Sequence, residues 1–263
     1  MVPLHEGGSL PAVVETEAGD SYVVKFRGAG QGPKALISEL LAAELGRALG
    51  LPIPNAAIVV LEDGFGAAEP NPEIQDILRA SVGANFGLAF LSGALGFDLA
   101  ADAGLISDEL AAEIVWFDAY VTNVDRTIRN PNLLVWQGRP WLIDHGAALY
   151  VHHRWAGWRT RVDSRFPQIR DHVLLPRAAD LAAADARLRP RLDERVVREI
   201  VQQVPDEWLG AESEFADLAA HRAAYLEYLL GRLNGPRHWL EEAIEAQQRG
   251  APALGPRLTH RVV

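Results

Sequence analysis

The order of strand-like and helix-like segments is the feature that most restricts how this chain can fold. Two short apolar runs with β character, at 12–17 and 22–26, are separated by an Ala-Gly-Asp turn, which predicts a hairpin. Residues 34–49 then carry apolar side chains at helical spacing, and 56–61 is another strand-like run. We therefore expect residues 1–62 to form a small β-rich lobe that contains one long helix.

The remainder of the chain has a different character. Residues 63–96 are rich in Gly, Pro and Asn, which indicates a hinge leading into a second lobe. A helix is predicted to begin after Ser107, whose hydroxyl makes it a good N-cap, and beyond residue 167 nearly all of the pattern is helical. We expect a mainly helical second lobe over 97–250, a frayed tail over 251–263, and an α+β fold with two lobes.

Composition and charge exclude several classes of site and partner. The 263 residues include no cysteine, so disulfide bonds and thiolate metal sites are absent. No apolar stretch approaches the ~20 residues that a membrane helix needs, and the N-terminus has no basic region leading into an apolar run. The formal net charge of −10 argues against broad binding to the phosphate backbone of nucleic acids. We expect a cytoplasmic protein with neither membrane nor nucleic acid as its partner.

The polar residues best placed for chemistry lie in the middle of the chain. Asp125 and Asn130 are separated by four residues, which is the spacing of a kinase catalytic loop. In such a loop the Asp orients the acceptor hydroxyl, and the amide oxygen of the Asn ligates magnesium. Two short strands are predicted next, at 133–136 and 141–143, and Asp144-His145-Gly146 follows the second of them. A carboxylate at that point suits Mg²⁺, which prefers hard oxygen ligands and leaves positions open for phosphate oxygens.

A simpler interpretation of these polar residues remains open. Asn and Asp are common in turns, where their side chains bond to nearby backbone groups. The residues that could play only this structural part are Asn123, Asp125, Asn130 and Asn132. The presence of both elements in order, with a strand hairpin between them, favours the catalytic interpretation.

One lysine in the first lobe stands out because lysine is rare in this chain. Lys25 and Lys34 are the only two, and Lys25 lies in an apolar strand, as the phosphate-contacting lysine of a kinase does. The helix that follows offers two partners for an ion pair with Lys25, of which Glu39 is the better candidate and Glu44 the lesser. Upstream, Gly7-Gly8-Ser9 could let backbone N–H groups approach the phosphates of a nucleotide, although the same residues describe any flexible turn.

The combined pattern resembles the HipA-like kinases and, more distantly, the phosphatidylinositol kinases. Asn123-Val124-Asp125-Arg126 with Asn130 is similar to their D-R-H-x-x-N-type loop. Trp141-Leu142-Ile143-Asp144-His145-Gly146 is similar to their later I-D-H/F-G-type element. Ser38-Glu39 and the exit Gly50-Leu51-Pro52-Ile53-Pro54 resemble the corresponding HipA-type helix, which favours Glu39 over Glu44. The resemblance covers roughly residues 7–155.

The resemblance implies a bilobal protein-kinase-like fold that binds ATP and Mg²⁺. On this basis Lys25 contacts ATP and Asp125 is the catalytic base, while Asn130 and Asp144 hold the metal. The expected reaction is phosphoryl transfer to a hydroxyl, and the HipA similarity implies that this hydroxyl belongs to a protein Ser or Thr. Two other functions remain open: a nucleotide-binding regulatory module without catalysis, and a kinase for a small molecule or lipid.

Two departures from the family pattern bear on the site. Thr127 stands where the family usually has His. Asn132 precedes a Leu-Leu-Val run much as a kinase metal ligand precedes its strand, so either asparagine could be the ligand. Spacing from Asp125 favours Asn130, and Pro131 biases Asn130 toward an extended backbone that could aim its side chain inward.

Overall fold

Five strands of the first lobe form one antiparallel sheet. The computed structural model describes residues 2–3, 11–210 and 212–250. The order across the sheet is β1-β2-β3-β5-β4. The strands are β1 (Val2–Pro3), β2 (Ala12–Glu15), β3 (Ser21–Lys25), β4 (Ala56–Leu61) and β5 (Gly83–Ala89). The predicted hairpin joins β2 to β3, where the N–H of Gly19 donates to the carbonyl of Thr16 at 2.9 Å. The Gly19 φ of +85° suits a residue without a side chain.

The helix predicted after this hairpin is α1 (Gly32–Ala48), and it packs on one face of the sheet. Pro33 lies in its first turn, where a missing backbone N–H costs no hydrogen bond. Gly50 follows its end with a φ of +84°. Nearly the whole circumference of α1 is buried, because the helix lies between the sheet and the second lobe. The opposite face of the sheet carries a smaller apolar cluster shared with α2 (Pro72–Ala80).

The segment 63–96, predicted as a hinge, holds more secondary structure than its composition indicated. It contains α2 and β5, and β5 lies inside the sheet between β3 and β4. Gly87 of β5 has no room for a side chain, because a Cβ there would lie 2.6 Å from Cγ2 of Val59 on the neighbouring strand. The sheet of the first lobe therefore extends to residue 89. Residues 90–94 then connect it to β6 (Leu95–Gly96) of the second lobe.

The described part of the second lobe is mainly helical, with α-helices joined by short 3-10 turns. The α-helices are α3 (Asp108–Val121), α4 (Leu181–Leu188), α5 (Glu194–Gln202), α6 (Asp206–Leu209), α7 (Leu218–Asn234) and α8 (His238–Arg249). The predicted N-cap is present, since the hydroxyl of Ser107 accepts the N–H of Leu110 at 3.1 Å. The predicted hairpin is formed by β7 (Leu133–Trp136) and β8 (Arg139–Leu142), with β6 paired to β7. Within the described residues, no helix combines the length and the apolar character that crossing a membrane requires.

The largest apolar core is shared by the two lobes. It runs from α1 and β5 of the first lobe through α3 to the C-terminal helices. The aromatic rings of Trp116, Tyr120 and Trp239 pack against one another near its centre, with centroids 5.3–5.8 Å apart. The predicted α+β fold, with small antiparallel sheets toward the N-terminus and a mostly helical remainder, is confirmed. This shared core fixes the relative positions of the elements that carry the polar residues described next.

Candidate active site

The structure brings together one lysine and two carboxylates at the junction of the lobes. Lys25 is the last residue of β3, and its side chain is only 11% exposed. Its Nζ donates to Oε1 of Glu39 on α1 and, at 2.7 Å, to Oδ1 of Asp144, which lies just after β8. The other carboxylate oxygen of Glu39 accepts the backbone N–H of His145 at 3.0 Å. Glu44, the lesser candidate, pairs instead with an arginine of its own helix.

Burial and mutual attraction together set the charges of this group. Burial alone would lower the pKa of Lys25, but the two carboxylates outweigh it and raise that pKa, so the ammonium stays charged. Burial raises the pKa of Glu39, whose charged form is stabilised by Lys25. For Asp144 the cost of burial is exceeded by the attraction of Lys25, which lowers the pKa of that carboxyl. One cation therefore lies between two acidic groups, of which Asp144 is the more exposed.

The backbone of Asp144-His145-Gly146 has an unusual conformation beside Lys25 and Glu39. Asp144 has a φ of +55°, in the left-handed region that few residues other than Gly adopt, and its side chain is 45% exposed. A Cβ on Gly146 would lie 3.1 Å from Oε1 of Glu39, closer than an ordinary contact. His145 is fully buried with its ring 6.0 Å from that of Phe117, and burial lowers its pKa to about 3. The motif thus places a half-exposed carboxylate beside a neutral, buried imidazole.

Asp125 lies between two asparagine side chains. Nδ2 of Asn130 donates to Oδ2 of Asp125 at 2.8 Å, and Asn130 is exposed. Asn132 is 8% exposed, and its Nδ2 lies 3.4 Å from the same Oδ2 and 3.5 Å from the backbone oxygen of Asp144. Asn132 has a φ of +50° directly before β7. The left-handed backbone of Asn132 brings its side-chain amide into the space between Asp125 and Asp144. The backbone of Asn130, the residue before Pro131, leaves its side chain exposed.

A buried aspartate that the sequence patterns did not single out supports this loop. Asp118 on α3 is fully buried, and its Oδ1 accepts Nδ2 of Asn123 at 3.0 Å. Its Oδ2 accepts Nε of Arg126 at 2.5 Å and Nε2 of His172 at 3.0 Å. The side-chain oxygen of Asn123 in turn accepts the backbone N–H of Asp125 at 3.2 Å. A single carboxylate therefore holds residues on both sides of Asp125.

Arg126 extends this support to Asn132. Its Nη1 donates to the backbone oxygen of Asn132 at 2.5 Å, and its guanidinium is fully buried. Burial alone would raise the pKa of Asp118, but the ion pair with Arg126 and the bond from His172 outweigh it and hold that pKa well below its usual range. Burial lowers the pKa of His172, whose Nδ1 accepts a backbone N–H at 3.1 Å. His172 is therefore neutral, with its proton on the nitrogen that donates to Asp118.

The sequence contained a signal for Asp118 but none for its contact with His172. Asp118 is the only charged residue in the apolar run 114–121, and a charge in such a run needs a buried partner. His172 lies 54 positions further along the chain, where no local pattern marks it. The contact could be found only once the fold was known.

The oxygen donors at this site fit Mg²⁺. Within residues 2–3, 11–210 and 212–250, no group of three or more His, Cys, Asp or Glu side chains is placed to hold a metal ion. The carboxylate of Asp144 and the amide oxygens of Asn130 and Asn132 are hard ligands. Mg²⁺ is commonly held in this way, by one or two carboxylates together with water and substrate phosphates.

Most of the predicted site residues meet in one place. The structure brings together Lys25, Glu39, Asp125, Asn130, Asn132 and Asp144. The segment Gly7-Gly8-Ser9 lies outside the described residues, so its approach to a nucleotide stays a prediction.

Comparison with known proteins identifies the family. A comparison with curated proteins finds no match. Among solved structures, the chain is similar to the crystal structure of a Helicobacter pylori proinflammatory kinase, CtkA, with a TM-score of 0.59, 13% identity and 94% of each chain covered. At that identity the likeness shows the fold alone, which is kinase-like as predicted. A family model described as HipA-like kinase matches residues 2–242, nearly the whole chain, and this protein therefore belongs to the HipA-like kinase family.

Proposed function

We propose that this protein transfers the terminal phosphoryl group of ATP to a hydroxyl, with Mg²⁺ as the metal. The observation that carries the proposal is the contact of Lys25 with both Glu39 and Asp144. In protein kinases, the lysine–glutamate ion pair and the metal-binding aspartate must both be in place for transfer. Here the three side chains meet although they come from β3, α1 and the turn after β8.

Lys25 supplies positive charge for the phosphates of ATP. Because its Nζ contacts Glu39 and Asp144, the ammonium is held in one orientation before a nucleotide binds. We assign the metal to Asp144 and Asn132, since Asn132 is buried beside Asp144 whereas Asn130 is exposed. Bound there, Mg²⁺ would offset negative charge on the phosphates.

Asp125 is assigned as the base that orients the acceptor hydroxyl and takes its proton. Asn130 holds one carboxylate oxygen of Asp125 at 2.8 Å, which leaves the other oxygen to face the hydroxyl. The backbone of Asp125 is fixed through Asn123 by the buried Asp118. A positioned base of this kind contributes about 10²–10⁴-fold to the rate.

The acceptor is proposed to be a Ser or Thr of a protein. Support for a protein acceptor comes from the family alone. A small-molecule or lipid hydroxyl would use the same residues. A nucleotide-binding module without catalysis is disfavoured, because such a module has no need of an ordered Asp125 beside the metal ligands. A cytoplasmic location stays a prediction.

Incubation with γ-labelled ATP and Mg²⁺, with and without a cell extract, tests the reaction and identifies the acceptor class. Label on this chain, on another protein, in the lipid fraction or in free phosphate would identify a different acceptor in each case. Asp125→Ala is expected to bind Mg-ATP nearly as well as wild type but to lose about 10²–10⁴-fold of the transfer rate. The control Asp76→Ala removes an exposed aspartate of α2 and is expected to change neither property. Full transfer by Asp125→Ala, or no transfer by wild type, would refute the proposal.

A further inference from the structure

A short helix of the second lobe contacts the strand next to the one that carries Lys25. On α6, Glu207 and Trp208 face Ala84, the second residue of β5. Oε1 of Glu207 accepts the N–H of Ala84 at 2.8 Å, and the indole N–H of Trp208 donates to the carbonyl of Ala84 at 2.9 Å. Both backbone groups of Ala84 are thus bound by two consecutive residues that lie 123 and 124 positions later in the chain.

The same carboxylate also contacts the strand of Lys25. Oε2 of Glu207 accepts Nη1 of Arg27 at 2.8 Å, and Arg27 lies two residues after Lys25. The backbone N–H of Arg27 donates to the side-chain oxygen of the fully buried Asn85 at 2.8 Å. Lys25 itself is paired with residue 86 of β5. The end of β3 and the start of β5 are therefore joined to each other and to Glu207.

The absence of a side chain at Gly83 leaves room for the carboxylate of Glu207. Gly83 has a φ of +101°, and a Cβ there would lie 2.6 Å from Oε2 of Glu207. Any side chain at Gly83 would displace the carboxylate or strain the backbone. Trp208 is buried, so its indole N–H depends on the carbonyl of Ala84 for a hydrogen-bond partner. These features indicate a specific contact rather than an incidental surface ion pair.

We infer that Glu207 is a positioning residue that keeps Lys25 in register with Asp144. Lys25 is carried by the sheet of the first lobe and Asp144 by the second lobe, and their 2.7 Å contact tolerates little relative movement. Glu207 binds Ala84 of β5 and Arg27, two residues beyond the end of β3, and so ties both neighbours of Lys25 to the second lobe. This inference rests on the proposed function, in which Lys25 contacts ATP.

The test uses a substitution that keeps the shape of Glu207. Glu207→Gln retains an acceptor for Ala84 but removes the charge that holds Arg27. We expect Mg-ATP affinity, measured by calorimetric titration well below the melting temperature, to weaken about tenfold, the lower end of the loss that follows removal of an outer-shell partner at a metal site. We also expect faster amide hydrogen exchange at residues 23–26, which are the end of β3 and the residue after it. The control Glu227→Gln breaks an exposed pair of the same 2.8 Å length with Arg159 and is expected to change neither measurement.

A double-mutant comparison separates positioning from a merely structural role. If Glu207 acts through Lys25, then Glu207→Gln adds no further loss of Mg-ATP affinity in a Lys25→Met background. Three results would overturn the inference. The losses of Mg-ATP affinity in the two single variants could add in the double variant, or Glu207→Gln could change neither affinity nor hydrogen exchange. Hydrogen exchange could also rise in α7 as much as at residues 23–26. Should Glu207→Gln fail to fold, Arg27→Gln removes the same ion pair from the other side and is judged by the same results.

Failure of the proposed function can be distinguished from failure of this inference. If wild type does not bind Mg-ATP, the proposed function fails. The contact is then judged by hydrogen exchange alone: selective acceleration at 23–26 in Glu207→Gln supports the positioning of β3, and its absence refutes it.

Discussion

Replacing Asp118 with Asn is expected to remove a large part of the stability of this protein. The substitution keeps the shape of the side chain but leaves the guanidinium of Arg126 without its counter-charge, and both side chains are fully buried. Removing one partner of a buried ion pair costs about 3–5 kcal/mol of the free energy of unfolding. Domains of this kind have about 5–15 kcal/mol in total, so Asp118→Asn is expected to fold only marginally.

The loss of unfolding free energy in Asp118→Asn is expected to become smaller at acidic pH. The pKa of Asp118 is lowered in the folded state, so its contribution is fully present above the unfolded pKa of about 3.9 and is lost as pH falls further. The difference in unfolding free energy between wild type and Asp118→Asn is therefore largest near pH 7 and narrows below about pH 4. Urea unfolding followed by tryptophan fluorescence at pH 7, 5 and 3 measures this difference.

Two results would refute this reasoning. A loss below about 1 kcal/mol at pH 7 would mean that Arg126 is not left as an uncompensated buried charge. A difference that stays constant from pH 7 to pH 3 would mean that folding does not lower the pKa of Asp118. The control Asp76→Asn alters an exposed aspartate on α2 and is expected to leave the urea midpoint nearly unchanged at each pH.

Three further predictions, made with four substitutions, test the site itself. Lys25→Met is expected to lose most of the rise in Tm that Mg-ATP gives wild type, because a ligand stabilises only the state that binds it. Thermal unfolding with and without Mg-ATP checks this, and an unchanged rise would remove Lys25 from the site. Asn132→Ala is expected to abolish Mg²⁺-dependent transfer, whereas Asn130→Ala only slows it; the opposite order of rates would assign the metal to Asn130. Gly146→Ala places a Cβ 3.1 Å from Oε1 of Glu39 and is expected to weaken Mg-ATP binding severalfold in a calorimetric titration, and unchanged affinity would show that Glu39 tolerates the displacement.

The parts of the site that depend on local sequence were predictable. A lysine in an apolar strand and a glutamate on the next helix are each recognisable, and the 14 positions between Lys25 and Glu39 span one connection. Asp144 could be located because it follows a predicted strand. The choice between the two asparagines stays a prediction: spacing favours Asn130, whereas the left-handed backbone that buries Asn132 has no sequence signature of its own.

Contacts between distant parts of the chain were not predictable. Asp118 meets His172 across 54 positions, and Arg27 meets Glu207 across 180. Nothing in a local pattern specifies which of many charged residues will form such a pair. Strand β5 was missed for a related reason, because a glycine required by packing, such as Gly87, is indistinguishable in sequence from a glycine in a loop.

The contact of Glu207 with Ala84 has a consequence for how the protein is made. A ribosome adds about 5–20 residues per second, so about 6–25 s separate the synthesis of β5 from that of the helix that binds it, 123 positions later. From residue 144 onward the nascent chain contains Lys25, Glu39 and Asp144, but until residue 209 it lacks a complete α6. In a chain still being translated, the proposed site therefore lacks the contact inferred to position Lys25, and it reaches its final geometry only when α6 has emerged.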